Sequence, residues 1–210
     1  MNEHQQRKQL CELAKSMFDR GYATGGAGNI SVQLDNGMFL ATPTGSSFGR
    51  LEPDTLSLIS QSGEHISGDK PSKEVSFHLA IYKNRPSCKA IVHLHSTYLT
   101  ALSSLKNLNT DNAIRAFTPY YVMRVGKLPV VPYYNPGDPM IATELAALAP
   151  KHRAYLLANH GPVVTGIDLL DAVDNAEELE ETAKLTLLLK DNNVAYISDD
   201  NLQILANKGI

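Results

Sequence analysis

Strand and helix patterns alternate along the whole chain, which places the fold in the mixed α/β class. Three observations carry that reading. Short apolar runs such as Ala90–Ser96 and Ala154–Ala158 read as buried strands. Stretches with apolar residues at helical spacing lie between them, the longest over 168–190. An Asn36-Gly37 pair separates two apolar runs, Ile30–Leu34 and Met38–Ala41, and is a strong hairpin signal. The 210 residues suffice for one well-buried domain, 1–210, and are short for two.

Each element follows from local chemistry. Leu10, Leu13, Ala14, Met17 and Phe18 mark a helix over 5–20, and Gly21 ends it. Gly25-Gly26-Ala27-Gly28 leads into the first strand. Such glycines either make a plain loop or let a ligand approach bare amides. Thr42-Pro43-Thr44-Gly45-Ser46-Ser47 is a second polar loop, whose hydroxyls can hold phosphate oxygens or cap the turn itself. Leu56–Ser60 and His65–Ile66 form another hairpin across Gln61-Ser62-Gly63. Val75–Tyr82 reads as a helix with Ser72 as its N-cap. Free amides and the positive end of the helix dipole then fall at Lys73 and Glu74, which favours an anion there. Glu74 is either a dipole-matched acid or a functional one.

A short helix is expected near Thr97–Leu105, while 106–117 is polar and without a clear pattern. Thr118–Arg124 reads as a strand or extended loop in which Tyr120 and Tyr121 pack. Pro129–Pro132 suits an edge strand, because proline cannot donate to a ladder. Asp138-Pro139 opens a helix through Ala149. The strand Ala154–Ala158 ends in Asn159-His160-Gly161-Pro162, and Val163–Thr165 continues extended. Ala172, Ala176, Leu179, Ala183 and Leu187 form the stripe of the longest helix, and a short helix starts near Asn201.

Composition excludes several function classes. With 43% hydrophobic and 20% charged residues the chain is an ordinary globular protein. A net charge of -3 without basic runs argues against nucleic acid and anionic membranes as partners. No apolar run of about 18 residues appears, and the first residues lack the apolar core of a signal peptide. Cys11 and Cys88 make no disulfide framework and read as reduced packing residues in a cytoplasmic protein.

The chemistry centres on His93-Leu94-His95. Side chains on a strand alternate faces, so the two imidazoles point the same way. Such a pair suits a divalent transition metal, or else is a hydrogen-bonded pair at a strand end. His160 also ends an apolar strand. Three histidines on strand ends would make an open metal site with exchangeable positions for water or substrate.

Five motifs occur here in one order: Gly28-Asn29-Ile30-Ser31, Thr42-Pro43-Thr44-Gly45, Ser72-Lys73-Glu74, His93-Leu94-His95 and Asn159-His160-Gly161. Together they resemble the class II aldolase/adducin family over about residues 5–190. The resemblance implies a three-layer α/β/α domain around a largely antiparallel sheet, usually in a four-fold homotetramer. It implies a divalent metal, typically zinc, on His93, His95 and His160. Glu74 is implied as the acid/base and as a further metal ligand when no substrate is bound. A phosphate pocket is implied at Gly28, Asn29, Thr44, Gly45 and Ser72. Tyrosines in the 118–126 region of related aldolases donate protons, which makes Tyr120 the favoured donor here.

One departure bears on the substrate. Sugar-phosphate aldolases commonly have Ser before the glutamate, and this chain has Lys73. A cation there suits an additional anionic group such as a carboxylate, or only strengthens phosphate binding. Arg124 is a second candidate anion contact. With these features the chain is most similar to family members that decarboxylate a 3-oxo-tetronate 4-phosphate. Loss of carbon dioxide would leave a metal-stabilised enediolate, and its protonation would give dihydroxyacetone phosphate. A sugar-phosphate aldolase or epimerase of the L-fuculose-phosphate or L-ribulose-phosphate type is the alternative on the same site. A non-catalytic, adducin-like interaction module is the third reading, and retention of all three histidines argues against it. Because family members often share sites between subunits, Tyr196 is a candidate for a neighbour's pocket.

Overall fold

The computed structural model describes residues 1–208. Its centre is an eight-stranded sheet of β1 (Asn29–Gln33), β2 (Phe39–Ala41), β3 (Ser57–Ile59), β4 (His65–Ser67), β5 (Ala90–His93), β6 (Val130–Val131), β7 (Ala154–Leu157) and β8 (Gly161–Gly166). The order across the sheet is β4-β3-β2-β1-β5-β8-β7-β6. Neighbours run antiparallel except the edge pair β6–β7, which is parallel.

Strand alternation sorts the side chains into two cores. Ile30, Val32, Val92, Leu94, Leu156 and Val164 face one way. They pack with Leu10 and Met17 of α1 (Glu3–Asp19), Leu99 and Leu102 of α3 (Thr97–Ser103), and Ala176 and Leu179 of α6 (Leu169–Leu189). Ile91, Tyr155, Leu157 and Val163 face the other way. They meet Phe77 and Ile81 of α2 (Val75–Asn84) and Ile141 and Leu145 of α5 (Pro139–Leu148). The result is a three-layer α/β/α arrangement with a largely antiparallel sheet. On the first face α4 (Pro119–Arg124) packs against α6 and α7 (Asp199–Ala206). Among the described residues no helix is long and apolar enough to cross a membrane. Cys11 is partly buried and Cys88 buried, both as free thiols that burial pushes up, to about 11 and about 12.

Local signals explain most boundaries. Asn2 and Gln5 form a capping box at the start of α1. Asp138 and Asp168 cap α5 and α6 through Met140 N and Asp171 N. Gly37, at φ 83°, closes the β1–β2 hairpin. At four places the structure departs from the sequence expectation. β5 stops at His93: Leu94 N still donates to the Pro162 carbonyl in register, but Pro162 has no N–H to return and the chain heads into α3. Ser72 is not the cap of α2, since Glu74 occupies that position; Ser72 Oγ instead accepts from Glu74 N and its carbonyl from Val75 N, forming a turn before the helix. Helix α3 ends at Ser103 rather than near Leu105. The segment Thr118–Arg124 is not extended: Pro119 starts the short helix α4, and Tyr121 is buried beneath it.

Two glycines bring backbones together at one end of the sheet. A Cβ on Gly28 would lie 2.7 Å from the His93 carbonyl oxygen, and one on Gly161 would lie 2.3 Å from that of Leu94. Gly161 opens β8 directly after the three-residue turn from β7, where Asn159 adopts φ 56°. The chains around His93 and Leu94 thus close in only where side chains are missing. Nearby, Ser31 Oγ lies between His78 Nδ1 at 2.7 Å and the Tyr82 hydroxyl at 2.8 Å. His78 is 1% exposed.

Gly161→Ala forces a methyl into a fixed carbonyl, so it should destabilise the protein by at least about 1–3 kcal/mol. Denaturant unfolding of the variant measures this. His78 supplies a pH dependence. Burial, reinforced by nearby His93, pushes it down to about 3 from an ordinary 6.5. Between those values the unfolded chain takes up a proton that the folded side chain refuses. Its contribution is therefore intact above about pH 6.5 and is lost as pH falls towards 3, by about 1.4 kcal/mol per pH unit. A urea midpoint that is flat across this window in metal-free protein would contradict the assignment of a neutral His78.

Candidate active site

The sheet register sets out the site. Asn29 of β1 pairs with His93 of β5, which pairs in turn with Val163 of β8. His93 is fully buried, with Phe77 edge-on to its ring at 5.6 Å between centroids. Its Nδ1 is 2.8 Å from the Pro162 carbonyl. A carbonyl only accepts, so this bond puts the proton on Nδ1 and leaves the Nε2 lone pair free to bind. His95 lies past the end of β5, and its Nε2 is 3.2 Å from that of His93. His160 comes in from the β7–β8 turn. The three ring centroids are 4.6–5.0 Å apart. His93 is buried, His160 partly buried and His95 exposed, so the cluster opens on the His95 side.

All three imidazoles are held neutral. Burial pushes His93 well below the usual histidine range, reinforced by His160 and His95. Burial lowers His95, with His160 adding to it, and burial lowers His160. Glu74 Oε2 is 3.5 Å from His93 Nε2, and Oε1 is 3.5 Å from His160 Nε2. With neutral rings these contacts are not ion pairs. Asn29 Nδ2 donates to Glu74 Oε2 at 2.6 Å and holds the carboxylate in place.

The donor set fits a divalent cation. One nitrogen from each ring lies within 4.8 Å of the others. Ligands about 2.0–2.1 Å from a tetrahedral ion sit roughly 3.3 Å apart, close to the observed His93–His95 separation. His93, His95 and His160 could thus hold the ion, and the Glu74 carboxylate lies 3.5 Å from two of these rings.

Three polar loops converge beside Glu74. Pro43 bridges to Pro71, and Thr44 N donates to the Lys70 carbonyl at 2.9 Å. Gly26 abuts the Gly45 carbonyl, and Ser72 Oγ accepts from Glu74 N. Gly28, Thr44, Gly45 and Ser72 therefore fall on neighbouring loops, with Asn29 at the start of β1. Lys73 is exposed, and its stem lies against Gly137. Two other expectations fare differently. Tyr120 is 57% exposed on α4, and none of the ring contacts or hydrogen bonds of the triad involves it. Arg124 is engaged by α6: Asp171 at 3.8 Å, Asp174 at 3.6 Å and Asn175 at 3.3 Å. It thereby braces α4 against α6. Tyr196 stacks under the Arg115 guanidinium of its own chain at 4.0 Å.

Sequence reasoning missed Glu180. From α6 this buried carboxylate accepts from Ser96 Oγ, Tyr98 N and Leu99 N, just after His95. Its partners are more than 80 residues away in sequence, so no local pattern marks it.

Comparison with known proteins agrees with this architecture. A family model described as the Class II Aldolase and Adducin N-terminal domain matches residues 8–187. A 3-oxo-tetronate 4-phosphate decarboxylase of Pectobacterium atrosepticum is 61% identical over 98% of this chain and 94% of its own. One of Haemophilus influenzae is 58% identical over the whole of both chains. The crystal structure of Escherichia coli YgbL, described as an aldolase/epimerase/decarboxylase, superposes with a TM-score of 0.96 at 55% identity, covering 97% of this chain and 99% of that one. The chain belongs to the class II aldolase and adducin N-terminal domain family.

Proposed function

We propose that this protein is a metal-dependent carboxy-lyase that converts a 3-oxo-tetronate 4-phosphate into dihydroxyacetone phosphate and carbon dioxide. The observation that carries the reaction type is the approach of Glu74 to two of three neutral imidazoles, at 3.5 Å each. The substrate is the one for which relatives 61% and 58% identical over nearly the full chain are named. Zinc is the metal this reading assigns, on His93, His95 and His160. When bound, it supplies Lewis-acid stabilisation of negative charge on the substrate.

The chain's own groups do the rest. Polar groups of Gly28, Asn29, Thr44, Gly45 and Ser72 hold the phosphate and set the orientation of the keto acid. The Lys73 ammonium attracts the anionic end of the substrate. The bond from the carboxylate carbon to C2 breaks, carbon dioxide leaves, and the electron pair moves towards the C3 ketone oxygen. A proton must then reach C2. Glu74, oriented by Asn29, carries it, with Tyr120 as a second donor if the assembly brings it near. Exposed Ile167, Leu170 and Leu188 leave apolar surface for the homotetramer this reading includes.

The test is incubation of the zinc-loaded protein with a 3-oxo-tetronate 4-phosphate, measuring carbon dioxide and dihydroxyacetone phosphate. Both should appear in equal amounts. Glu74→Gln should lower kcat by about 10²–10⁴-fold, the usual range for a lost acid/base. Lys73→Ser should raise KM more than it lowers kcat. Chelation should abolish turnover, and added zinc should restore it. No product from folded, zinc-replete protein would replace this reading with the sugar-phosphate aldolase one.

A further inference from the structure

Of the three histidines, His95 has the least to hold it. His93 sits in the ladder, paired on both sides, with Phe77 and Pro162 fixing its ring. His160 occupies a three-residue turn between paired strands. His95 lies two residues past the last ladder pair and is exposed. Its aim depends on where the chain goes next.

Glu180 controls that path. It is 5% exposed on α6, and its carboxylate receives three donors. Ser96 Oγ reaches Oε2 at 2.6 Å, Tyr98 N reaches Oε1 at 2.8 Å, and Leu99 N reaches Oε2 at 3.0 Å. These are the first, third and fourth residues after His95. Ser96, at the cap position of α3, makes no cap bond of its own, so the carboxylate from another helix takes over that role. Helix α6 also packs against β5 and β8, the strands that carry His93 and flank His160. One rigid helix is therefore tied to all three ligand-bearing segments, and to the loosest of them by three charge-assisted bonds.

We propose that Glu180 is a positioning residue for the metal centre, which fixes His95 by clamping the turn behind it. This rests on the metal-site part of the reading above, not on the identity of the substrate. Outer groups that orient metal ligands typically matter by 10–100-fold in affinity. Glu180→Gln keeps the shape but removes the charge, and its NH₂ cannot accept from an amide.

The test is titration of purified, metal-free protein with Co²⁺, read by visible absorption, alongside Glu180→Gln, Ser96→Ala and Val173→Ala. Val173 is a buried residue of the same helix outside the clamp, and serves as a control for general loosening of α6. Glu180→Gln is expected to bind Co²⁺ about 10–100-fold more weakly, with an altered band shape. Ser96→Ala should lose less, because two amide bonds remain. Val173→Ala should lower thermal stability and leave the Co²⁺ affinity and spectrum as in the parent. If Glu180→Gln does not fold, Ser96→Ala decides by the same criteria. Unchanged affinity and spectrum in the clamp variants, or an equal loss in Val173→Ala, would overturn the proposal. A parent protein that takes up no Co²⁺ would overturn the metal site itself, and the proposal with it.

Discussion

Three imidazoles can crowd together with ring centroids 4.6–5.0 Å apart only if they stay uncharged and if the chains that carry them come very close. Both conditions meet around His93. Burial of a charged ring without a partner is costly, so the native fold keeps His93 neutral and its lone pair available. The close approach is possible because Gly28 and Gly161 present bare backbone to the carbonyls of His93 and Leu94. The same packing that buries the histidines therefore prepares them to bind a cation. Folding and metal affinity draw on one arrangement.

The sheet acts as a ruler for the remaining groups. The pairing of Asn29 with His93 places an amide beside the buried imidazole, and that amide grips Glu74 at the head of α2. Glu74 then faces both His93 and His160 without belonging to either strand. The loops at 25–28, 42–47 and 70–74 are drawn together by the Pro43–Pro71 bridge and by the contact of Gly26 with Gly45. The groups that the proposed reaction calls on are thus spread over many segments, all pinned to one end of the sheet. The exposed side of His95 leaves the entrance.

Features that depend on near neighbours are legible in the sequence. Continuous apolar runs mark β5 and β7, helical spacing marks α1 and α6, and Asn36-Gly37 marks a hairpin. Their side chains follow a period of two or 3.6 whatever lies elsewhere. The order of five short motifs is also legible, and the family follows from it. Thr118–Arg124 is ambiguous in sequence because six helical residues are too few to establish a period, and adjacent tyrosines suit a strand equally well. Ser72 has the chemistry of a cap because serine favours that role, yet the chain needs an extra turn to leave the Pro43–Pro71 bridge.

The sequence by itself determined the mixed α/β class, the residue types able to bind a cation and the spacing that puts His93 and His95 on one side of a strand. Only the tertiary structure decided that His160 joins them, that Glu74 approaches two of the three rings, that Arg124 is engaged by Asp171 and Asp174, and that Glu180 accepts three bonds from the turn after His95. The physical reason is the range of the forces involved. Backbone sterics and hydrophobic periodicity act within a few residues and leave a local trace. Hydrogen bonds and ligand geometry join residues far apart in the chain, such as Ser96 and Glu180, 84 positions apart, and they exist only once the sheet has set the distances between them.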